Sequence, residues 1–91
     1  MKIKMNVREK FELSEGVTIL ACSGYDPKFD VVGKKLNLIR GDEIRQTLTI
    51  SGEKKMLSQK ANLNQKAFET NDKVLLSQEE AQSGEWMLIG H

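Results

Sequence analysis

A single cysteine, Cys22, and a single histidine, His91, stand in a chain of 91 residues, and that scarcity excludes several kinds of chemistry. One cysteine makes no internal disulfide, and the two residues together fall short of the several Cys or His ligands that a zinc site needs. His91 stands last in the sequence, where fraying removes the fixed position a general base requires, so a Cys22 and His91 dyad is not expected. Cys22 is read instead as a small buried apolar side chain. No Gly-rich loop ending in Gly-Lys-Ser or Gly-Lys-Thr is present to hold a nucleotide phosphate. Asp26 with Asp30, or Asp42 with Glu43, lack the spacing of a known cation loop and read as turn carboxylates that cap backbone donors. No catalytic residue, cofactor or metal is therefore expected. Aromatics are only 5% of the chain, which argues against a dedicated single-strand RNA binder of the kind that stacks several bases.

Long hydrophobic runs are also missing. The longest, Val17 to Cys22 with Thr18 inside it, is far below the roughly 20 residues needed to span a bilayer. Lys2 and Lys4 follow Met1 with no apolar stretch after them, so no secretory leader is expected. With the lone cysteine, this points to a reducing cytoplasm.

What is present is an ordinary globular composition, 38% hydrophobic and 30% charged, and residues 1–91 read as one domain. Net charge is +1 but unevenly placed. Residues 1–66 carry 13 basic against 8 acidic side chains (+5), and residues 67–91 carry 1 against 5 (−4). The asymmetry suits an anionic partner as well as a merely solvated surface.

The stretch from Val32 to Gly52 reads as a β-hairpin. Leu36 and Leu38 alternate before Gly41-Asp42; Ile44, Leu48 and Ile50 alternate after it, with Thr47 and Thr49 between. Parity sets the expected register. A two-residue turn at Gly41-Asp42 would place Leu38 opposite Arg45, so an unbulged ladder requires a three- or five-residue loop centred on Gly41, with Asp42 free to turn left-handed. Leu38 then pairs with Ile44, Asn37 with Arg45 and Lys35 with Thr47, and Lys35 and Arg45 share the outer face.

Elsewhere, Ile3, Met5 and Val7 followed by Phe11 and Leu13 read as one strand broken near Arg8-Glu9, or as two strands. Val17 to Cys22 reads as a strand covered on both faces. Ser23 to Pro27 is a chain reversal. Residues 53–70 read equally as a short helix or a polar loop. Lys73 to Leu76 and Trp86 to Ile89 read as strands, joined by a polar link from Gln78 to Gln82. The expected fold is all-β, a small closed antiparallel β-barrel of about six strands. Val17, Ile19, Leu36, Leu38, Ile44, Leu48, Val74 and Leu88 are expected in its core, together with Trp86.

The succession Phe11-Glu12-Leu13, Gly16-Val17-Thr18-Ile19-Leu20, Val32-Gly33-Lys34-Lys35-Leu36 and the Ile44 to Ile50 strand resembles the second, β-barrel domain of translational GTPases such as elongation factor Tu. Lys66-Ala67 through Asn71-Asp72-Lys73-Val74 and Ser83-Gly84-Glu85-Trp86-Met87-Leu88 continue the likeness, which covers roughly residues 5–90. The chain departs from the family at Cys22-Ser23, where a glycine and an arginine are usual, and in a hairpin longer by about two residues. The resemblance implies a six-stranded barrel acting as a binding module that contacts RNA, tRNA ends or neighbouring domains. It implies no GTP chemistry.

Lys34, Lys35, Arg40 and Arg45, with Lys28 nearby, make the hairpin a candidate phosphate-binding face, and Tyr25 is a candidate stacking residue. The expected function is non-enzymatic binding of RNA or a translation-related partner through loops and this basic face. The alternative is a domain that makes only protein contacts.

Overall fold

The computed structural model describes residues 3–13, 15–24, 30–54 and 65–90. Six strands, β1 (Ile3–Glu12), β2 (Thr18–Ser23), β3 (Lys35–Arg40), β4 (Glu43–Lys54), β5 (Gln65–Thr70) and β6 (Met87–Gly90), form an antiparallel sheet in the order β1-β2-β5-β4-β3-β6 that closes into a ring. The one helix among the described residues is α1 (Gln78–Gln82), a short turn of five residues.

Closure depends on two long strands that each change partners part-way. β1 pairs with β6 over Ile3 to Asn6 and with β2 from Asn6 to Glu12; β4 pairs with β3 up to Thr49 and with β5 from Ile50 onward. Each carries a bulge near the handover. Arg8 is the extra residue in β1 and Ser51 in β4, and an unpaired residue of this kind bends a strand and raises its twist. The β1 bulge falls where the sequence pattern breaks.

A bulge also reverses the facing of everything beyond it. Ile3, Met5 and Val7 point into the ring, but past Arg8 the inward residue is Lys10, 7% exposed, while Phe11 lies outward and 42% exposed. Phe11 and Leu13, both 42% exposed, thus do not continue the inner face of Ile3, Met5 and Val7.

A third bulge sits in the central hairpin. Arg40 pairs with Glu43 and Ile39 with Ile44 across a two-residue Gly41-Asp42 turn; then Leu38 pairs with Gln46, Asn37 with Thr47 and Leu36 with Leu48, leaving Arg45 as the extra residue. The expected odd-length loop and the Leu38–Ile44 pairing are therefore wrong. Charge is kept out of the core by shifting parity within the strand. Gly41 takes φ +60° and Asp42 has no positive φ, as a turn with glycine at its first central position requires. Ile44, expected in the core, points outward and is 63% exposed.

The core contains Met5, Val7, Leu20, Leu36, Leu38, Leu48, Ile50, Phe68, Trp86 and Leu88, with Val31, Val74 and Leu76 contributed from outside the strands. Trp86, Leu36, Leu38, Leu48, Val74 and Leu88 thus lie where the pattern put them; Ile19 is buried too, but Val17 is only half-buried. β2 is buried on both faces, as its unbroken apolar run implies. Gly90 occupies an inward position where an added Cβ would collide with the Leu36 side chain, so close packing dictates its lack of a side chain.

Two expectations about the second half change. Residues 65–70 form β5, not part of a helix or loop, because Phe68 is needed inside the ring and pairs with Leu20. Residues 55–64 lie outside the described residues. Lys73 to Leu76 is not a strand. It runs extended beside the first half of β4, and its backbone is held by side chains: Gln46 Nε2 donates to the Lys73 carbonyl at 2.9 Å, Gln46 Oε1 accepts from the Leu75 amide, Arg45 donates to the Leu75 carbonyl at 3.0 Å, and the Lys10 ammonium donates to the Leu76 carbonyl.

Candidate interaction surface

Of the five residues singled out in the sequence, the structure brings the two arginines together and separates them from the lysines. Arg40 and Arg45 both lie over the fully buried Trp86 ring, their guanidinium carbons 5.2 and 4.3 Å from its centroid. Arg45, displaced by the bulge, donates to both carboxylate oxygens of Glu80 at 2.8 and 2.9 Å and lies 3.6 Å from Glu43. Arg40 pairs with Glu43 at 3.2 Å and approaches Glu85 at 3.9 Å. This cluster holds two cations and three carboxylates, a formal charge of −1, which suits a structural plug and not a phosphate site. Lys34 and Lys35 are exposed and make no ion pair among the described residues. Tyr25 lies outside the described residues.

Glu80 is fixed from two sides. Its carboxylate accepts from the Ser77 amide at 3.0 Å while the Ser77 hydroxyl accepts from the Glu80 amide at 3.1 Å, a reciprocal cap that starts α1. The Ser77 amide first, then Arg45, hold this carboxyl below the ordinary carboxylate value of 4.5. Burial pushes the Cys22 thiol up to about 12, so it is an inert core side chain. Among the described residues no group of three His, Cys, Asp or Glu is placed to hold a metal. An open depression of about 290 Å³ at the β1–β2 turn is lined by Glu12, Leu13, Gly16, Val17, Thr18, Asn71 and Lys73.

The register reveals a surface that the sequence reading missed. Cross-strand partners in an antiparallel ladder share a face. Asn6 pairs with Met87, Met87 with Ile39, and Ile39 with Ile44, so these four form one row across β1, β6, β3 and β4. Lys4, Ile89, Asn37 and Thr47 form the parallel row two residues further on, about 7 Å away. Between the rows, Met5, Leu88 and Leu38 are inward and buried, which puts both rows on the outside. Met87, Ile39 and Ile89 are half-buried and Ile44 is exposed. Lys35, paired with Thr49, extends the same face. The result is a patch of four aliphatic or thioether side chains bordered by Lys4 and Lys35. The outward residues of this patch include no acid.

The Trp86 to Ile89 run lacks the alternation that would show which of its residues face outward, and the bulge hides the Ile39-Ile44 pairing. Together these concealed the patch. No helix among the described residues is long and apolar enough to cross a membrane. No family model, curated protein or solved structure matches the chain, so the resemblance to translational GTPase barrels rests on the sequence spacing alone.

Proposed function

We propose that this chain is a non-catalytic protein-binding module that docks its partner on the outer face of β6, β3 and the first half of β4. The observation that carries this reading is the row of Met87, Ile39 and Ile44 with Ile89 beside it, apolar side chains left outside a sheet whose interior is already filled. A contact role accords with the sequence resemblance, since translational barrels bind RNA or neighbouring domains. Of those partner classes the surface favours protein. Two of the four hairpin cations are committed to carboxylates, and Phe11 is the one large aromatic exposed among the described residues. A cytoplasmic setting suits the single reduced cysteine.

The test compares the wild-type chain with Ile44→Asp, an exposed position whose change leaves the core intact, and with Lys34→Gln/Lys35→Gln. Nuclease-treated extract from the chain's own cells is passed over each immobilised protein. Capture that survives nuclease and is lost with Ile44→Asp supports the proposal. Nuclease-sensitive capture that depends on the lysines and ignores Ile44 returns the function to RNA binding.

A further inference from the structure

We infer that the occupant of this face is an acidic segment of a partner protein, presenting aliphatic side chains beside aspartates or glutamates. The inference rests on the protein-binding reading above and adds the partner's chemistry.

Main-chain pairing is the first mode to consider, because exposed strand edges commonly recruit peptides. Here the sheet closes into a ring. Of the strand edges that the partner changes leave, the one bordering this face is the first half of β4, and it is occupied by the segment that follows β5: Gln46 bonds Lys73 and Leu75, and the Thr49 amide donates to Asp72 at 2.7 Å. A partner on the β6, β3 and β4 face therefore binds through side chains.

Those side chains define a polarity. The apolar row runs across the strands from Met87 to Ile44, a span of about 10 Å at the usual strand separation. Lys4 and Lys35 lie on one side of it, toward the start of β1 and β3, with Lys34 adjacent in sequence. Asp72, the one carboxylate at that border among the described residues, accepts from the Thr49 amide and keeps its negative charge, so the three lysines leave this flank net positive. On the opposite side Arg40 and Arg45 are neutralised by Glu43, Glu80 and Glu85. On the first flank the cations Lys4, Lys34 and Lys35 thus outnumber the one carboxylate, Asp72, whereas on the opposite flank the two hairpin arginines are more than matched by three carboxylates. A partner with aliphatic anchors on the row and carboxylates toward Lys4 and Lys35 complements both features.

The two other occupants fit less well. A second copy docked with like flanks together would set lysine against lysine, and with the flanks exchanged it would offer the lysines only carboxylates that Arg40 and Arg45 already hold. A single-stranded nucleic acid would find phosphate partners but no exposed aromatic ring on the face to stack its bases.

The experiment uses the intact chain and three defined probes: a short synthetic peptide of leucine and glutamate, its leucine and lysine counterpart, and an oligouridylate. Backbone amide NMR shifts follow binding, and retained spectral dispersion shows that each variant is folded. The acidic peptide is expected to shift the amides of Ile39, Ile44, Met87 and Ile89, and to lose at least about fivefold in affinity between about 0.05 and 0.5 M salt. Lys4→Glu/Lys35→Glu should reverse the preference toward the lysine peptide. Equal binding of both peptides by the wild type, or binding insensitive to salt, overturns the charge assignment. So does Ile44-dependent self-association in sedimentation, or a response to the oligouridylate alone. If extract capture depends on Ile44 but the acidic peptide does not bind, the partner chemistry is wrong while the docking face stands.

Discussion

Gln46 serves Leu75 as a neighbouring strand would. Its Oε1 accepts the Leu75 amide at 2.6 Å while its Nε2 donates to the carbonyl of Lys73, two residues earlier. One side-chain amide thereby satisfies a donor and an acceptor of a segment that makes no backbone ladder with the strand it runs beside. Replacing Gln46 by alanine should cost about 1–3 kcal/mol, since both backbone groups lose their partner. Denaturant melts measure the loss, and faster amide exchange at Leu75 would locate it.

Lys10 supports the same segment from the other side, reaching the carbonyls of Val74 and Leu76 and the Glu12 carboxylate at 3.1 Å. Lys10→Met keeps the length of the side chain and removes the donors. Stability should fall by about 1.5–3 kcal/mol, the range for hydrogen bonds made by a charged group. No change in the melting midpoint would mean that solvent takes over both carbonyls.

The bulge at Arg45 sets a contrast between two positions that a plain alternating pattern places on the same face. Leu48→Ala should cost about 2–5 kcal/mol because it empties a fully buried site. Ile44→Ala should stay within about 0.5 kcal/mol. Equal losses at both would place Ile44 in the core and refute the observed register.

Glu80 makes part of the stability dependent on pH. Its folded pKa is depressed, so its contribution is present above the ordinary value of 4.5 and disappears as pH falls through the lower folded value. Glu80→Gln retains an acceptor for the Ser77 amide but removes the charge facing Arg45. Melting temperatures taken from neutral to acid pH should start lower in this variant and decline less steeply below pH 4.5.

Cys22 should resist thiol reagents near pH 8, being fully buried with its pKa raised to about 12. Maleimide labelling is expected only after urea unfolds the chain. Rapid labelling of the native protein would show that β2 opens far more readily than its burial implies.

Strand identity was legible where alternation was local. The Leu36-Leu38 and Leu48-Ile50 pairs, the doubly covered β2 and the buried Trp86 follow from apolar spacing, because each side chain faces inward by the pleat of its own strand. The errors concentrate at bulges. Arg8 and Arg45 each reverse the facing beyond them, which sent Phe11 and Ile44 outward and put Lys10 inside. Periodicity has no term for an inserted residue, and nothing at Arg45 differs in composition from an ordinary strand position. β5 was missed because Lys66, Glu69 and Thr70 interrupt its apolar residues, whose inward place is fixed by pairing with β2 and β4. The candidate patch depends on those registers, so its members could not be assembled from one strand at a time.

The ring order also governs how the chain can fold. β1 has β2 on one side and β6 on the other, with Ile3 facing Gly90, so the first strand waits for the last before both its edges are covered. Ring closure thus depends on contacts between residues far apart in sequence, which favours slow acquisition of structure, on the scale of milliseconds to seconds. On the ribosome, β1 and β2 can meet early as a hairpin, but that hairpin presents Ile3, Met5 and Val7 with a bare edge until residues 87–90 emerge. Nascent chains stalled before Met87 should therefore be sticky and protease-sensitive, and release of the final strand should make them resistant in a single step.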